Sequence, residues 1–173
     1  MGKYICHTLI LLSITIFICC ETKRNQYYNL GVELGNKGEF NEAIVNYNKA
    51  IEIDPKYFKA YYNRGTSYLV LADYDKAMFD FHKALDLNEK CAECYLNLGT
   101  VFNRTKKYVE SIAQYSKALE LDPDLWIAYM NRGRSYYRLE QYDFAKSDYD
   151  KAIDINPKND KLKLWRNEIP SNY

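Results

Sequence analysis

Apolar positions between residues 24 and 159 recur every three to four residues, the period of an amphipathic helix, and they do so in pairs of short segments. In the first pair Tyr27, Leu30, Gly31 and Leu34 share one face, and Phe40, Ala43, Tyr47 and Ala50 do the same, the two segments joined by the turn Lys37-Gly38-Glu39-Phe40. The same order of residue types then returns, with Gly31, Gly65, Gly99 and Gly133 standing 34 residues apart. A fixed period of this length specifies a stacked array of two-helix units. The units run 24–57, 58–91, 92–125 and 126–159. First helices are expected near 24–37, 58–71, 92–105 and 126–139, and second helices near 41–54, 75–88, 109–122 and 143–156.

The punctuation of each unit follows from backbone chemistry. Asn41, Asp75 and Asp143 stand where a side chain would cap the second helix, while unit 3 has Val109 there. Asp54-Pro55, Asp122-Pro123 and Asn156-Pro157 would end the second helices, because the residue before proline is pushed out of the helical region. Unit 2 carries Asn88-Glu89 instead, so its exit turn is expected to be less defined. A mid-helix glycine costs about 1 kcal/mol relative to alanine, and four of them at one phase imply close approach by a neighbouring helix. Ala43, Ala77 and Ala145 would allow the same, with Ser111 in unit 3, and Ala50, Ala84, Ala118 and Ala152 complete the small set. Tyr27, Tyr61, Tyr95 and Tyr129 are expected to fill the space above these small residues.

On these aromatic, Leu-Gly, Ala and Pro places the chain resembles the tetratricopeptide repeat family over residues 24–159. It departs at Arg64 and Arg132, where Leu is usual, at Ser111 for Ala and at Glu89 for Pro. An arginine stem can pack while its head reaches water, and that is the expectation for Arg64 and Arg132. The resemblance implies an all-α, right-handed superhelical solenoid whose concave face, lined by first helices, binds peptide segments of partner proteins. After the fourth unit, residues 160–173 hold Leu162, Trp165 and Ile169 at helical spacing before Pro170, read as a capping helix near 159–168 and a tail. Trp165 is read as packing for that cap.

By its place in the family pattern, the concave face would include Tyr28 in unit 1 and Lys59, Tyr62 and Thr66 in unit 2. It would continue with Asn103 and Arg104 in unit 3, and Met130, Arg134, Tyr137 and Arg138 in unit 4. Arg104, Arg134 and Arg138 gather in the second half, and arginine forks bind carboxylates in pairs of hydrogen bonds. The expected partner is a protein whose peptide segment is acidic or ends in a carboxylate. The competing reading has these arginines paired with neighbouring acids or merely solvated. Members of the family that bind chaperone tails clamp a terminal carboxylate with Lys, Asn and Arg on three successive first helices. Here those places hold Tyr28, Val32, Asn63, Glu93 and Asn97, or, one unit on, Tyr62, Thr66, Asn97, Ile127 and Asn131. Only the asparagine matches, so that clamp is missing.

Residues 1–20 are of another kind. Lys3 precedes an apolar run from Ile5 to Ile18, short for a bilayer span, and Cys19 and Cys20 close it. An apolar run ending in cysteine resembles a bacterial lipoprotein signal, with Cys20 as the lipidated residue because Cys19 puts a smaller side chain before it than Ile18 does. This places the chain at the cell envelope, membrane-anchored and facing the periplasm; the alternatives are secretion or a single uncleaved anchor. A tether of about four residues would then join Cys20 to the first helix.

Charge and chemistry add little beyond this. The net charge is +1, so nucleic-acid binding lacks the basic excess it needs. No catalytic constellation, phosphate loop, cofactor motif, metal set or small-molecule site stands out, and His82 is an isolated histidine on a second helix. The reading is therefore a non-enzymatic interaction scaffold. Cys91-Ala92-Glu93-Cys94 supplies the alternative: a thiol-disulfide active or disulfide-stabilised periplasmic protein. Structural thiols, a disulfide, and a redox or metal role all remain open for that pair.

Overall fold

A computed structural model describes residues 20–170; the apolar run before Cys20 and the last three residues lie outside the described part. Among the described residues the regular elements are helices: α1 (20–36), α2 (Phe40–Ile53), α3 (Phe58–Val70), α4 (Tyr74–Leu87), α5 (Ala92–Arg104), α6 (Tyr108–Leu121), α7 (Trp126–Arg138), α8 (Tyr142–Ile155) and α9 (Asp160–Asn167). The fold class is all-α, built from antiparallel helix pairs. They group into two compact units, one through Lys83 and one from Ala84, dividing inside α4.

Each first helix ends in the same backbone device. The residues at Gly38, Ala72, Lys106 and Glu140 have φ of 82°, 59°, 61° and 59°. The next amide reaches back five residues, Glu39 to Leu34, Asp73 to Tyr68, Lys107 to Phe102 and Gln141 to Tyr136, at 2.8–3.0 Å. This is a Schellman closure, which needs a left-handed residue, and only the first unit fills that position with glycine.

Second helices start one residue earlier than the sequence suggested, and not through the expected caps. Asn41 and Asp143 lie inside the first turns of α2 and α8, whose N-cap residues Glu39 and Gln141 make no side-chain cap bond. In α4 the capping contact comes from Asp73, whose carboxylate accepts from the Lys76 amide at 3.4 Å, and not from Asp75. The tight left-handed turn sets the entry of the second helix before any side chain does. The expectation of a looser exit from unit 2 is also corrected. Asn88 accepts from the Lys90 amide at 3.2 Å, as Asp54 does from Lys56 at 3.0 Å and Asp122 from Asp124 at 3.1 Å. The side-chain turn holds the corner without proline.

The glycine phase is explained by the second helix. A Cβ at Gly31, Gly65, Gly99 or Gly133 would lie 2.6, 2.9, 2.5 or 3.1 Å from a ring carbon of Tyr47, Phe81, Tyr115 or Tyr149. The ring pressed on each glycine thus comes from 16 residues on. Of the first-helix tyrosines, Tyr95 and Tyr129 pack around Ala118 and Ala128, so they cover the expected small residue Ala118 while the second-helix rings cover the glycines.

Arg64 and Arg132 differ most from expectation. Their heads do not reach for water but turn inward. Arg64 forks onto Asp80 at 2.8 and 2.6 Å and also bonds Asn48; Arg132 forks onto Asp148 at 2.8 Å twice and bonds Ser116 at 2.9 Å. Asp80 is fully buried and Asp148 is 5% exposed. Units 1 and 3 place Leu30 with Asn46, and Leu98 with Gln114, at the same phase. Ser111 is likewise absorbed: its hydroxyl lies 2.7 Å from the Tyr108 carbonyl and 2.8 Å from the Ser135 hydroxyl.

Helix α9 begins at Asp160, 34 residues after α7 begins at Trp126, so it takes the place of a further first helix. Leu162 is fully buried and Ile169 joins Ala145 and Tyr149 in one cluster, while Trp165 lies 6.4 Å from the Tyr149 ring.

Candidate peptide-binding site

In the unit from Ala84 onward, α5 and α7 lie side by side as successive first helices. Arg104 closes α5, and Arg134 and Arg138 lie in the last two turns of α7, all three exposed. The sequence holds seven arginines. Arg24 pairs with Asp54 and Glu21, Arg64 with Asp80, Arg132 with Asp148 and Arg166 with Asp150. Among the described residues Arg104, Arg134 and Arg138 make no ion pair. The reading in which they are neutralised by neighbouring acids is thereby set aside. Arg134 and Arg138 line one cleft, and Arg104 and Arg134 both act electrostatically on Tyr115.

Arg134, Tyr137 and Arg138 also line a cleft of about 150 Å³, closed by Tyr149 of α8 and by Trp165 and Glu168 at α9. The Arg134 guanidinium lies 5.3 Å over the Trp165 ring. Tyr137 meets Tyr142 edge-on at 5.6 Å, which fixes its ring in the wall. Burial pushes the Tyr149 phenol up to about 12, so its hydroxyl stays protonated through the physiological range, and Arg134, Glu168 and Arg138 all act on it electrostatically. Burial also raises the Tyr115 phenol to about 12, with Thr100 as its hydroxyl partner at 3.4 Å and Arg134 and Arg104 pulling it back down. The sequence reading named Arg134, Tyr137 and Arg138 but not Tyr149 and Glu168; Trp165, read as cap packing, does pack against Ala145, Tyr149 and Ile169 and also lines the cleft. The register of α9 was the signal available: Asp160 follows Trp126 by one period.

Most of the other predicted face residues are engaged within the fold, Lys59 excepted. Asn103 donates to the Ser135 hydroxyl at 2.8 Å, and Met130 is half-buried on α7. In the unit through Lys83, the Tyr28 hydroxyl accepts from Asn63 at 2.9 Å, with its ring 5.2 Å from Tyr57. Tyr62 stacks along Phe58 at 6.3 Å, and Thr66 bonds back to the Tyr62 carbonyl at 3.0 Å. Lys59 is exposed.

Cys91 and Cys94 form a disulfide at the start of α5, and both are buried, at 5% and 0% exposed. The Cys94 amide donates to the Cys91 sulfur at 3.0 Å, which makes Cys91 the cap of that helix. Cys20 is exposed and already helical, so the helix includes the proposed lipid attachment point and the expected four-residue tether is replaced by helix. Arg24 holds this first stretch down through Asp54 at 2.8 Å and the Tyr57 ring at 4.5 Å. No helix among the described residues is long and apolar enough to cross a membrane. His82 is exposed, and among the described residues no cluster of His, Cys, Asp and Glu is placed to hold a metal ion.

Comparison with known proteins agrees with the fold. A family model described as TPR repeat matches residues 33–71 and 99–140, and one described as Tetratricopeptide repeat matches 58–91 and 126–159. An uncharacterized protein of Methanocaldococcus jannaschii, MJ0572, is 51% identical over 35 residues, 20% of this chain and 41% of its own length. Among solved structures, Pseudomonas aeruginosa pilF superposes with a TM-score of 0.79 at 22% identity, covering 87% of this chain and 68% of that one. MamA superposes at 0.74 and 24% identity over 85% and 86% of the two chains. The first TPR of Spaghetti (RPAP3), bound to an HSP90 peptide, superposes at 0.63 and 22% identity over 65% and 89%. At these identities the structural likeness carries the fold.

Proposed function

Because the chain belongs to the tetratricopeptide repeat family, we propose that it is a non-enzymatic scaffold that binds an acidic peptide segment of a partner protein on the α5–α7 face, while tethered at a bacterial cell envelope. One observation carries the peptide reading. Among the described residues, the three of seven arginines that make no ion pair, Arg104, Arg134 and Arg138, lie on the neighbouring helices α5 and α7. Unpaired guanidinium groups present fixed donor forks, and a carboxylate satisfies two donors at once. The structural neighbour bound to an HSP90 peptide supports this use of the fold. The chaperone-tail clamp is not the means, since its places hold Tyr28, Val32 and Glu93, or Tyr62, Thr66 and Ile127.

The tether rests on the apolar run from Ile5 to Ile18 and on Cys20. The Cys91–Cys94 disulfide supports an oxidising compartment on the outer side of the inner membrane. It favours the disulfide-stabilised form of the alternative reading, since sulfurs this buried are poorly placed for thiol exchange. With α1 helical from Cys20, a lipid there would hold the repeats close to the headgroups and make membrane-bound partners the accessible ones.

The test is photo-crosslinking from Thr100, one helical turn before Arg104 on α5, in intact cells. The scaffold reading expects a discrete crosslinked protein that disappears in R104Q/R134Q/R138Q while the fold, judged by circular dichroism, persists. Equal crosslinking by the triple variant sinks the electrostatic reading. For the tether, Cys20→Ser should release the folded repeats from the membrane fraction; a variant that stays bound and keeps residues 1–19 points to an uncleaved anchor.

A further inference from the structure

Resting on the peptide-binding reading, we propose that α9 is a wall of the binding site and that Glu168 sets its selectivity. The cleft then takes a single carboxylate side chain beside an apolar or aromatic residue of a partner protein, and turns away doubly charged groups.

The walls state the chemistry. Arg134 stacks on Trp165 at 5.3 Å. With no acid paired to Arg134 among the described residues, its N–H donors are left for a ligand carboxylate. Arg138 and Tyr149 line the same cleft. The rings of Tyr137, Tyr149 and Trp165 supply the apolar part. A volume of about 150 Å³ holds about one side chain, not a peptide.

Charge decides what that side chain carries. Arg134 and Arg138 bring two positive charges and Glu168 one negative, and among the described residues Glu168 makes no ion pair. One carboxylate therefore brings the cleft to neutrality, and a second negative charge meets Glu168 without a spare cation. Arg138 also ends α7, where the helix dipole is negative and adds to the penalty for a dianion. An apolar neighbour in the ligand gains the exposed part of Trp165. A cap helix serving only to cover α8 would need Leu162 and Ile169, which are buried, but neither a half-exposed indole under an arginine nor an unpaired acid beside it.

The experiment uses the full-length chain in a mild detergent and capped nine-residue Gly/Ser peptides with a central Glu-Phe, Gln-Phe or phosphoserine-Phe. Binding is read from the indole N–H resonance of Trp165 and from resonances of α5 and α7. Glu-Phe should shift Trp165 and bind at least about five-fold tighter than either alternative. Glu168→Gln, at an exposed position, should tighten phosphoserine-Phe by about five-fold and Glu-Phe by only about two-fold, since a single negative charge feels half the repulsion. A ratio of the two affinities unchanged by Glu168→Gln overturns the selectivity. Shifts on α5 and α7 with none at Trp165 overturn α9 as a wall and leave the broader peptide reading standing. Tighter binding of phosphoserine-Phe to the unaltered chain assigns the face to phosphate and overturns the proposal. If no peptide moves Trp165 the proposal falls, and a surviving arginine-dependent crosslink keeps the scaffold reading separate from it.

Discussion

The fork between Arg132 and Asp148 can be replaced by a combination the chain already uses. At the same phase unit 3 holds Leu98 and Gln114, so Arg132→Leu and Asp148→Gln convert unit 4 to the unit 3 solution. Removing Arg132 alone strands a carboxylate 7% exposed that has lost both 2.8 Å bonds, and breaking a buried pair in this way costs about 3–5 kcal/mol. Removing Asp148 alone costs less, about 2 kcal/mol, because Arg132 keeps Ser116 at 2.9 Å and its long stem lets the head swing toward water. The double variant removes both desolvation penalties together and is expected to lie between unchanged and about 2 kcal/mol more stable. Urea unfolding followed by circular dichroism on the four proteins gives the coupling directly. If the single losses simply add, to about 5–7 kcal/mol in the double variant, then the pair stabilises the fold and Leu98 with Gln114 is not an equivalent solution.

The remaining predictions use the same array. Burial holds the Asp80 and Asp148 carboxyls above their ordinary range, with the arginine forks opposing it. A group with a raised folded pKa stabilises in acid and loses that contribution as pH rises through its folded titration. Converting both pairs to Leu and Gln should therefore make the variant progressively more stable relative to the parent as pH rises out of the carboxylate range; a gap that shrinks contradicts the direction. Ala72→Gly, Lys106→Gly and Glu140→Gly should each stabilise by about 0.5–1 kcal/mol, since their φ of 59–61° suits glycine, and urea midpoints check this. Gly99→Ala should cost more than Gly133→Ala, because the added carbon meets Tyr115 at 2.5 Å against 3.1 Å for Tyr149, and equal thermal midpoints would remove close packing as the reason for these glycines. Reduction of Cys91–Cys94, or C91S/C94S, should lower stability by about 2 kcal/mol, the loop-closure value for so short a ring, without loss of helicity.

The array was legible because its signals are periodic: Gly31 to Gly133 announce themselves four times, and each needs the same ring contact. What escaped was whatever a single-unit template hides. Arg64 and Arg132 looked like isolated substitutions for leucine, and only a 68-residue comparison pairs them with Asp80 and Asp148. Asn41 looked like a cap because the residue type suited one, yet the helix had already started from a left-handed turn whose residue in three of four units is not glycine. Backbone closure by a reach of five residues leaves no side-chain signature.

The candidate site was half legible for a related reason. Family phase places Arg104, Arg134 and Arg138 on one face, but phase cannot say whether a charge is spent. Four of the seven arginines are spent on acids, and these acids lie at separations from 3 to 30 residues, as Arg24 shows with Glu21 and Asp54. The separation that matters most is 16, the distance from a first helix to the facing place on its own second helix, which joins Arg64 to Asp80, Arg132 to Asp148 and, backward, Arg166 to Asp150. Applying the same offset to the exposed arginines gives Glu120 and Asn88 for Arg104, Asp150 and Ala118 for Arg134, and Asp154 and Asp122 for Arg138. Acids stand at some of these offsets, yet none of the three arginines pairs with one among the described residues, because the offset reaches the second helix from the face that carries Arg132 and not from the opposite one. The two arginines flanking Gly133 thus divide: Arg132 turns into the helix pair and is neutralised by Asp148, while Arg134 lies over the Trp165 ring and makes no ion pair among the described residues.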